Sequence, residues 1–221
     1  MKLVRYGAKG KELPGIIDSD GNLRSLAGLV NEESEQFLSD KGLAELGRMN
    51  LSKLPLVPGK PRFGCPVANV SKFVAIGLNY TDHAKETNSP IPKEPIIFMK
   101  ALNCLQGPND NVMLPRGSVK TDWEVELGIV ISKKTRYVTK GNALDHVAGY
   151  VLVNDVSERE FQAERGPQWD KGKGCDTFGP VGPYLVTRDE VKDPQNLELW
   201  LDVNGKRMQT GNTRTMFFPV K

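Results

Sequence analysis

Little in this sequence points to membranes, secretion or nucleic acid. No apolar run is long enough to span a bilayer, and the opening stretch MKLVRYGAKGKELPG lacks the apolar centre of a signal peptide, so a cytoplasmic protein with no membrane partner is expected. Cysteine is sparse: Cys65, Cys104 and Cys175 are odd in number and widely spaced, with no C-x-x-C. That argues against a disulfide framework or a zinc site and for buried or half-buried free thiols. Basic residues outnumber acidic ones only 30 to 27 and form no run, so the surplus reads as solvated surface and no nucleic-acid partner is expected. Aromatics make up only 7% of the chain, against 22 glycines and 15 prolines, a balance that favours strands and turns. A chain of 221 residues fits one medium domain, or one domain with a small appendage.

The stretch that is most informative is TDWEVELG, from Thr121 to Gly128. It sets Glu124 and Glu126 two apart in an apolar run that continues as IVI, and side chains at i and i+2 of a strand share a face. Two carboxylates on a mostly apolar face raise each other's pKa and cost several kcal/mol unless a positive charge stands between them, roughly as for any unpaired buried charge. A hard divalent cation is the economical candidate. The other reading is a half-exposed strand that turns Trp123, Val125 and Leu127 inward and both glutamates to water.

Along the chain, GIIDSDGNLRSL has the form of a hairpin with an Asp20-Gly21 turn, and NEESEQFLSDKGLAELGRMN predicts one or two short helices broken at Gly42. Four prolines and two glycines between Leu54 and Pro66 mark a domain boundary. VSKFVAIG reads as a buried strand, and LNYTDHAKETNSP as a short helix capped by Thr81 or Asp82. His83 and Glu86 lie at i and i+3 on that helix, either as a base and its orienting partner or as solvated neighbours. PIIFMK is a further strand, GPND at 107 to 110 a turn, and GNALDHV a short helix whose His146 is structural. AGYVLVND ends a buried strand on Asn154 and Asp155; Asp155 is either a site carboxylate or the N-cap of a helix VSEREFQAER. On that helix Arg159 and Gln162 present a cation and an amide, unless the face is merely charged solvent surface shared with Glu158, Glu160, Glu164 and Arg165. Lys171 and Lys173 fall in a Gly- and Pro-dense loop without phosphate-loop spacing, where a lysine fixed beside an acidic site can polarise a carbonyl. LELWLDV, Asn204-Gly205 and KRMQTGNT form a hairpin.

Taken in order, GLNYTDHAKE, IIFMK, TDWEVELGIVI, VNDVSEREFQ, KGKGCDTFGPVGP and LWLDVNGKRMQTGNT resemble the fumarylacetoacetate hydrolase family, from about Phe73 to Phe218. The resemblance implies an α+β, mainly β fold: a mixed β-sandwich roll as catalytic domain over 67–221, preceded by a small α+β domain over 1–60, usually as a homodimer. It implies Mg2+ or Mn2+ held by Glu124, Glu126 and Asp155, with His83 oriented by Glu86 to deprotonate water. Lys173 matches the lysine that stabilises oxyanion charge, and Arg159 and Gln162 match positions that contact the substrate carboxylate or keto oxygen. The implied reaction is C–C cleavage of a 2,4-diketo acid, an acylpyruvate or a diketo-deoxy sugar acid, through a metal-stabilised enolate. Related members are isomerases or oxaloacetate decarboxylases. Family members also continue past the position of Lys221 with further strands and a glycine-rich loop, which implies a domain cut short here. A non-catalytic metal-binding or interaction protein is the reading from the other class.

Overall fold

Short, largely apolar runs build β1 (Lys2–Tyr6), β2 (Leu13–Ile17) and β3 (Leu23–Ser25), which pair antiparallel in sequence order in the computed structural model of residues 1–221. The β2–β3 turn forms where the Asp-Gly signal places it. Asp18 secures it by accepting from the backbone N–H groups of Asp20 (3.0 Å) and Asn22 (2.8 Å). One helix follows, α1 (Asp40–Gly47), with Ser39 as N-cap accepting from the Gly42 N–H at 3.2 Å. Gly42 therefore lies inside the helix instead of breaking it. A Cβ there would stand 2.2 Å from the Gln36 carbonyl oxygen, so glycine lets the first turn pack on the preceding loop.

The remaining elements are β4 (Val74–Gly77), α2 (Thr81–Glu86), β5 (Ile96–Met99), β6 (Leu105–Gln106), β7 (Thr121–Asp122), β8 (Val125–Ile131), β9 (Val147–Asn154), β10 (Ser157–Glu158), α3 (Asp170–Lys173), β11 (Gly179–Thr187), β12 (Glu198–Val203) and β13 (Lys206–Asn212). The fold is mainly β with few helices. Its largest sheet runs β3-β2-β1-β11-β9-β8, with β6 added parallel to β11, and is therefore mixed. The N-terminal strands belong to this same sheet through β1 and β11, and one core cluster holds Leu3, Ile16, Leu26 and Leu46 together with Val151, Val153, Val181 and Leu185. Arg62, in the proline-rich segment between them, forks onto Asp110 at 2.7 and 2.6 Å and reaches Glu12 at 2.8 Å.

Two further expectations fail for physical reasons. β4 is not a buried strand: it pairs only with β5, and one face of that hairpin leaves Val74, Ile76 and Ile97 exposed. The helix expected from Val156 is replaced by β10, paired with β7, and a five-residue π-helical turn at Glu160–Glu164. Glu158 is the cause. Its carboxylate is fully buried and accepts from the Ser118 and Thr121 hydroxyls and the N–H groups of Lys120 and Glu160, so it does not lie on a solvent face. An extended backbone is needed to deliver it there. His146 ends a 3-10 turn and meets the Thr135 hydroxyl at 3.0 Å, and all three cysteines are free and at least half-buried.

Candidate active site

Glu124 lies in the short break between β7 and β8, and Glu126 follows as the second residue of β8. The Asn154 side chain accepts from the Glu124 N–H at 3.1 Å, and the Asp155 N–H donates to the Glu124 carbonyl at 2.8 Å, so the ends of β8 and β9 are stapled together. Val125, between the glutamates, donates its N–H to Gln209 Oε1 at 2.8 Å, and Gln209 Nε2 donates to the Val125 carbonyl at 3.4 Å. A side chain from β13 thus stands in for a neighbouring strand and fixes the backbone from which Glu124 and Glu126 project.

Two lysines and an arginine knit the carboxylates. Lys173 Nζ donates to Glu124 Oε2 at 2.7 Å and to Asp155 Oδ2 at 2.9 Å. Lys100, 1% exposed, donates to the other Asp155 oxygen at 2.6 Å and to the carbonyls of Val156 and Lys173. Arg159 Nη2 lies 2.6 Å from Glu124 Oε1 and 2.7 Å from Asp122 Oδ2, and its Nη1 donates to Gln162 Oε1 at 3.2 Å. Asp155 is therefore not an N-cap. Burial works to raise its pKa, but the ammonium groups of Lys173 and Lys100 outweigh burial and hold it below the ordinary carboxylate range.

Glu126 is placed differently. Its nearest polar side-chain partner is the Tyr80 hydroxyl at 3.5 Å; burial first, then the charges of Glu124 and Asp155, push its pKa to about 8. The native state then keeps a proton that the unfolded chain gives up near pH 4.5, so stability falls as pH rises from there toward 8. Replacing Glu126 with Gln removes that loss. In EDTA at pH 8 the variant is expected to melt a few degrees above the wild type, since about 1 kcal/mol moves a domain of this size by roughly 2–4 °C, with the gap closing toward pH 5. A constant gap across pH would refute this assignment.

His83, Glu86, Glu124, Glu126, Asp155, Arg159, Gln162 and Lys173 all line one cavity of about 710 Å3. His83 and Glu86 project from α2 with no hydrogen bond between ring and carboxylate. One wall is apolar. Trp169 packs closely against Gly77, where a Cβ would stand 2.3 Å from its ring, and meets Phe98 edge-on at 5.5 Å. Sequence reasoning missed Lys100, Asp122, Tyr80 and Gln209. Their signals were faint: a lone charge ending IIFMK, an acid just before E-x-E, a tyrosine before a helix, and a glutamine in the last hairpin.

Residues 72–221 match the model of the fumarylacetoacetate (FAA) hydrolase C-terminal domain. This chain belongs to the fumarylacetoacetate hydrolase family. A Burkholderia lata member named as a hydrolase is 60% identical over 220 residues, covering 100% of this chain and 78% of its own. Among solved members of the family, maleylpyruvate hydrolase from Sphingobium sp. SYK-6, in complex with manganese(II) ion and pyruvate, superposes with a TM-score of 0.80 at 27% identity, covering 100% of this chain and 80% of its own. The 2-hydroxyhepta-2,4-diene-1,7-dioate isomerase from Mycobacterium marinum gives 0.75 at 32%, covering 100% and 78%. The fumarylacetoacetate hydrolase family thus contains both hydrolases and isomerases on this fold. No helix here is long and apolar enough to cross a membrane. In this family member no three His, Cys, Asp or Glu side chains stand close enough to hold one ion as they lie, because Lys173 and Arg159 bridge the carboxylates.

Proposed function

We propose that this chain is a metal-dependent hydrolase that cleaves the C–C bond of a 2,4-diketo acid, an acylpyruvate or a diketo-deoxy sugar acid. The observation that carries the proposal is the convergence of Glu124, Glu126 and Asp155 with Lys173, Arg159 and His83 on one cavity. The three carboxylates form a hard, all-oxygen donor set that suits Mg2+ or Mn2+, and such an ion competes with Lys173 and Arg159 for the same oxygens. When bound, it supplies Lewis-acid polarisation of the keto-acid end of the substrate. The manganese and pyruvate in the maleylpyruvate hydrolase support this choice.

The protein groups divide the remaining work. Arg159 offers its guanidinium fork to the substrate carboxylate, and the Gln162 amide, whose NH2 makes no hydrogen bond within the protein, donates to a keto oxygen. His83, steadied by Glu86 once substrate is bound, takes a proton from water as the water oxygen adds to the distal carbonyl carbon. Lys173 donates to the oxyanion that results. The bond to the pyruvate methylene then breaks, its electron pair stays on the pyruvate fragment, and protonation there leaves pyruvate and a carboxylic acid. A cytoplasmic homodimer belongs to the same proposal. The missing His83–Glu86 hydrogen bond and the isomerase relative favour a second reading, isomerisation or oxaloacetate decarboxylation, in which no water is activated.

One experiment separates these. Melts in EDTA, Mg2+ and Mn2+, with and without oxalate as a mimic of the pyruvate enolate, are expected to show a metal-dependent rise that oxalate extends. His83→Ala is expected to keep that rise while losing hydrolysis of acylpyruvates about 100-fold or more. Unchanged hydrolysis in His83→Ala would remove the histidine from the reaction, and decarboxylation that survives without any hydrolysis would favour the second reading.

A further inference from the structure

We infer that the end of the cavity beyond the pyruvate moiety accepts only an uncharged acyl group, so the substrate is a monocarboxylate and not a diacid; this rests on the hydrolase reading above. The charge around the cavity decides it. Six acidic side chains line it, Asp82, Glu86, Asp122, Glu124, Glu126 and Asp155, against two permanent cations, Arg159 and Lys173. Neither cation is free. Lys173 is shared between Glu124 and Asp155, and Arg159 between Asp122 and Glu124. A bound divalent ion and Arg159 together answer one substrate carboxylate, and no lining cation is left for a second.

Neutral donors cannot supply the missing positive charge, and several are spent. The Asn79 amide is spent on the Phe218 backbone at 2.9 Å in both directions, Gln209 is spent on Val125, and the Thr87 hydroxyl donates to the His83 carbonyl. Tyr80, Ser89, Trp123 and Thr210 also line the cavity and carry no charge, and much of the rest is carbon: Phe98 and Trp169 on one side, with Met208 also lining it. A second carboxylate placed there gives up its hydration without gaining a cation, in a cavity whose acidic side chains outnumber its permanent cations. A short alkyl or hydroxyalkyl acyl chain loses nothing comparable and gains contact with the wall. The maleylpyruvate hydrolase and the dioate isomerase bear the names of diacid substrates, so the inference sets this chain apart from both.

The test uses the Mn2+-loaded full chain with three matched compounds: butanoylpyruvate, succinylpyruvate, and the monomethyl ester of succinylpyruvate at its distal carboxylate. The neutral pair is expected to exceed succinylpyruvate at least about 100-fold in kcat/KM, mostly through KM, because like-charge juxtaposition is that costly. Equal values for succinylpyruvate and its ester would overturn the inference. If none of the three is turned over, the hydrolase reading fails, and calorimetric binding of the same compounds still decides: the neutral pair binding at least about 100-fold tighter upholds the inference, and equal affinity refutes it. Met208→Arg places a cation on the wall and is expected to shrink the gap at least about tenfold, since 1.4 kcal/mol corresponds to tenfold. A gap that the new charge leaves unchanged would mean that shape rejects the diacid, which also overturns it.

Discussion

Replacing Lys100 with Met is expected to lower stability by about 3–5 kcal/mol, the usual cost of removing one partner from a buried ion pair. Lys100 is among the largest of the fully buried side chains, and its three acceptors, Asp155 and the carbonyls of Val156 and Lys173, come from the segment just after β9 and from α3. Without the ammonium, Asp155 keeps only Lys173, and the two carbonyls that the buried Lys100 served are left without a donor. For a domain of this size the loss corresponds to a drop in Tm of roughly 6–20 °C. The double variant Lys100→Met, Asp155→Asn removes the charge that was left uncompensated and is expected to regain at least half of the loss, while binding no Mn2+. Denaturant melts of both variants check this. A single variant as stable as the wild type would show that Lys100 is a packed side chain and nothing more.

Replacing Glu124 with Gln is expected to weaken Mn2+ binding more than about 100-fold, beyond the 10- to 100-fold typical of residues behind a metal's own ligands, and to remove turnover with it. Glu124 is the hub of the cluster: one oxygen meets Lys173, the other Arg159, and its backbone is fixed to Asn154 and Asp155. An amide of the same shape keeps one of those contacts, turns an NH2 toward the other cation and removes the negative charge that both cations and an incoming ion share. Titration of the EDTA-stripped variant with Mn2+, followed by the rise in melting temperature, measures the affinity without any assay of activity. Retained affinity would mean that Glu124 only holds Lys173 and Arg159 in place.

The legible parts of this protein were those encoded by neighbours in sequence. The Asp20-Gly21 and Asn204-Gly205 hairpins, the strand ending at Asn154 and the short helix of His83 and Glu86 all follow from local turn chemistry and periodicity. The E-x-E spacing also announced two carboxylates aimed at one place. What stayed hidden depends on contacts between distant segments. Glu158 reads as a surface charge on a helix until Ser118 and Thr121, far back in the chain, close around it and force an extended backbone. Lys100 and Gln209 look like ordinary strand residues, and their partners Asp155 and Val125 lie 55 and 84 positions away. β4 looked buried because its run is apolar, whereas burial depends on how many strands flank it, and it has one.

The antiparallel pairing of β1 with β11, where Lys2 faces Val186 and Leu3 faces Leu185, joins positions separated by almost the whole chain. The earlier strand must therefore wait for a partner that is synthesised much later. Closure of the central sheet is a late event in folding, and its high contact order places this chain among slow folders, well behind helical proteins of equal size. During that wait the open rim of β1 carries unpaired backbone groups that a second nascent chain can match, so yield on expression will depend on how fast β11 arrives.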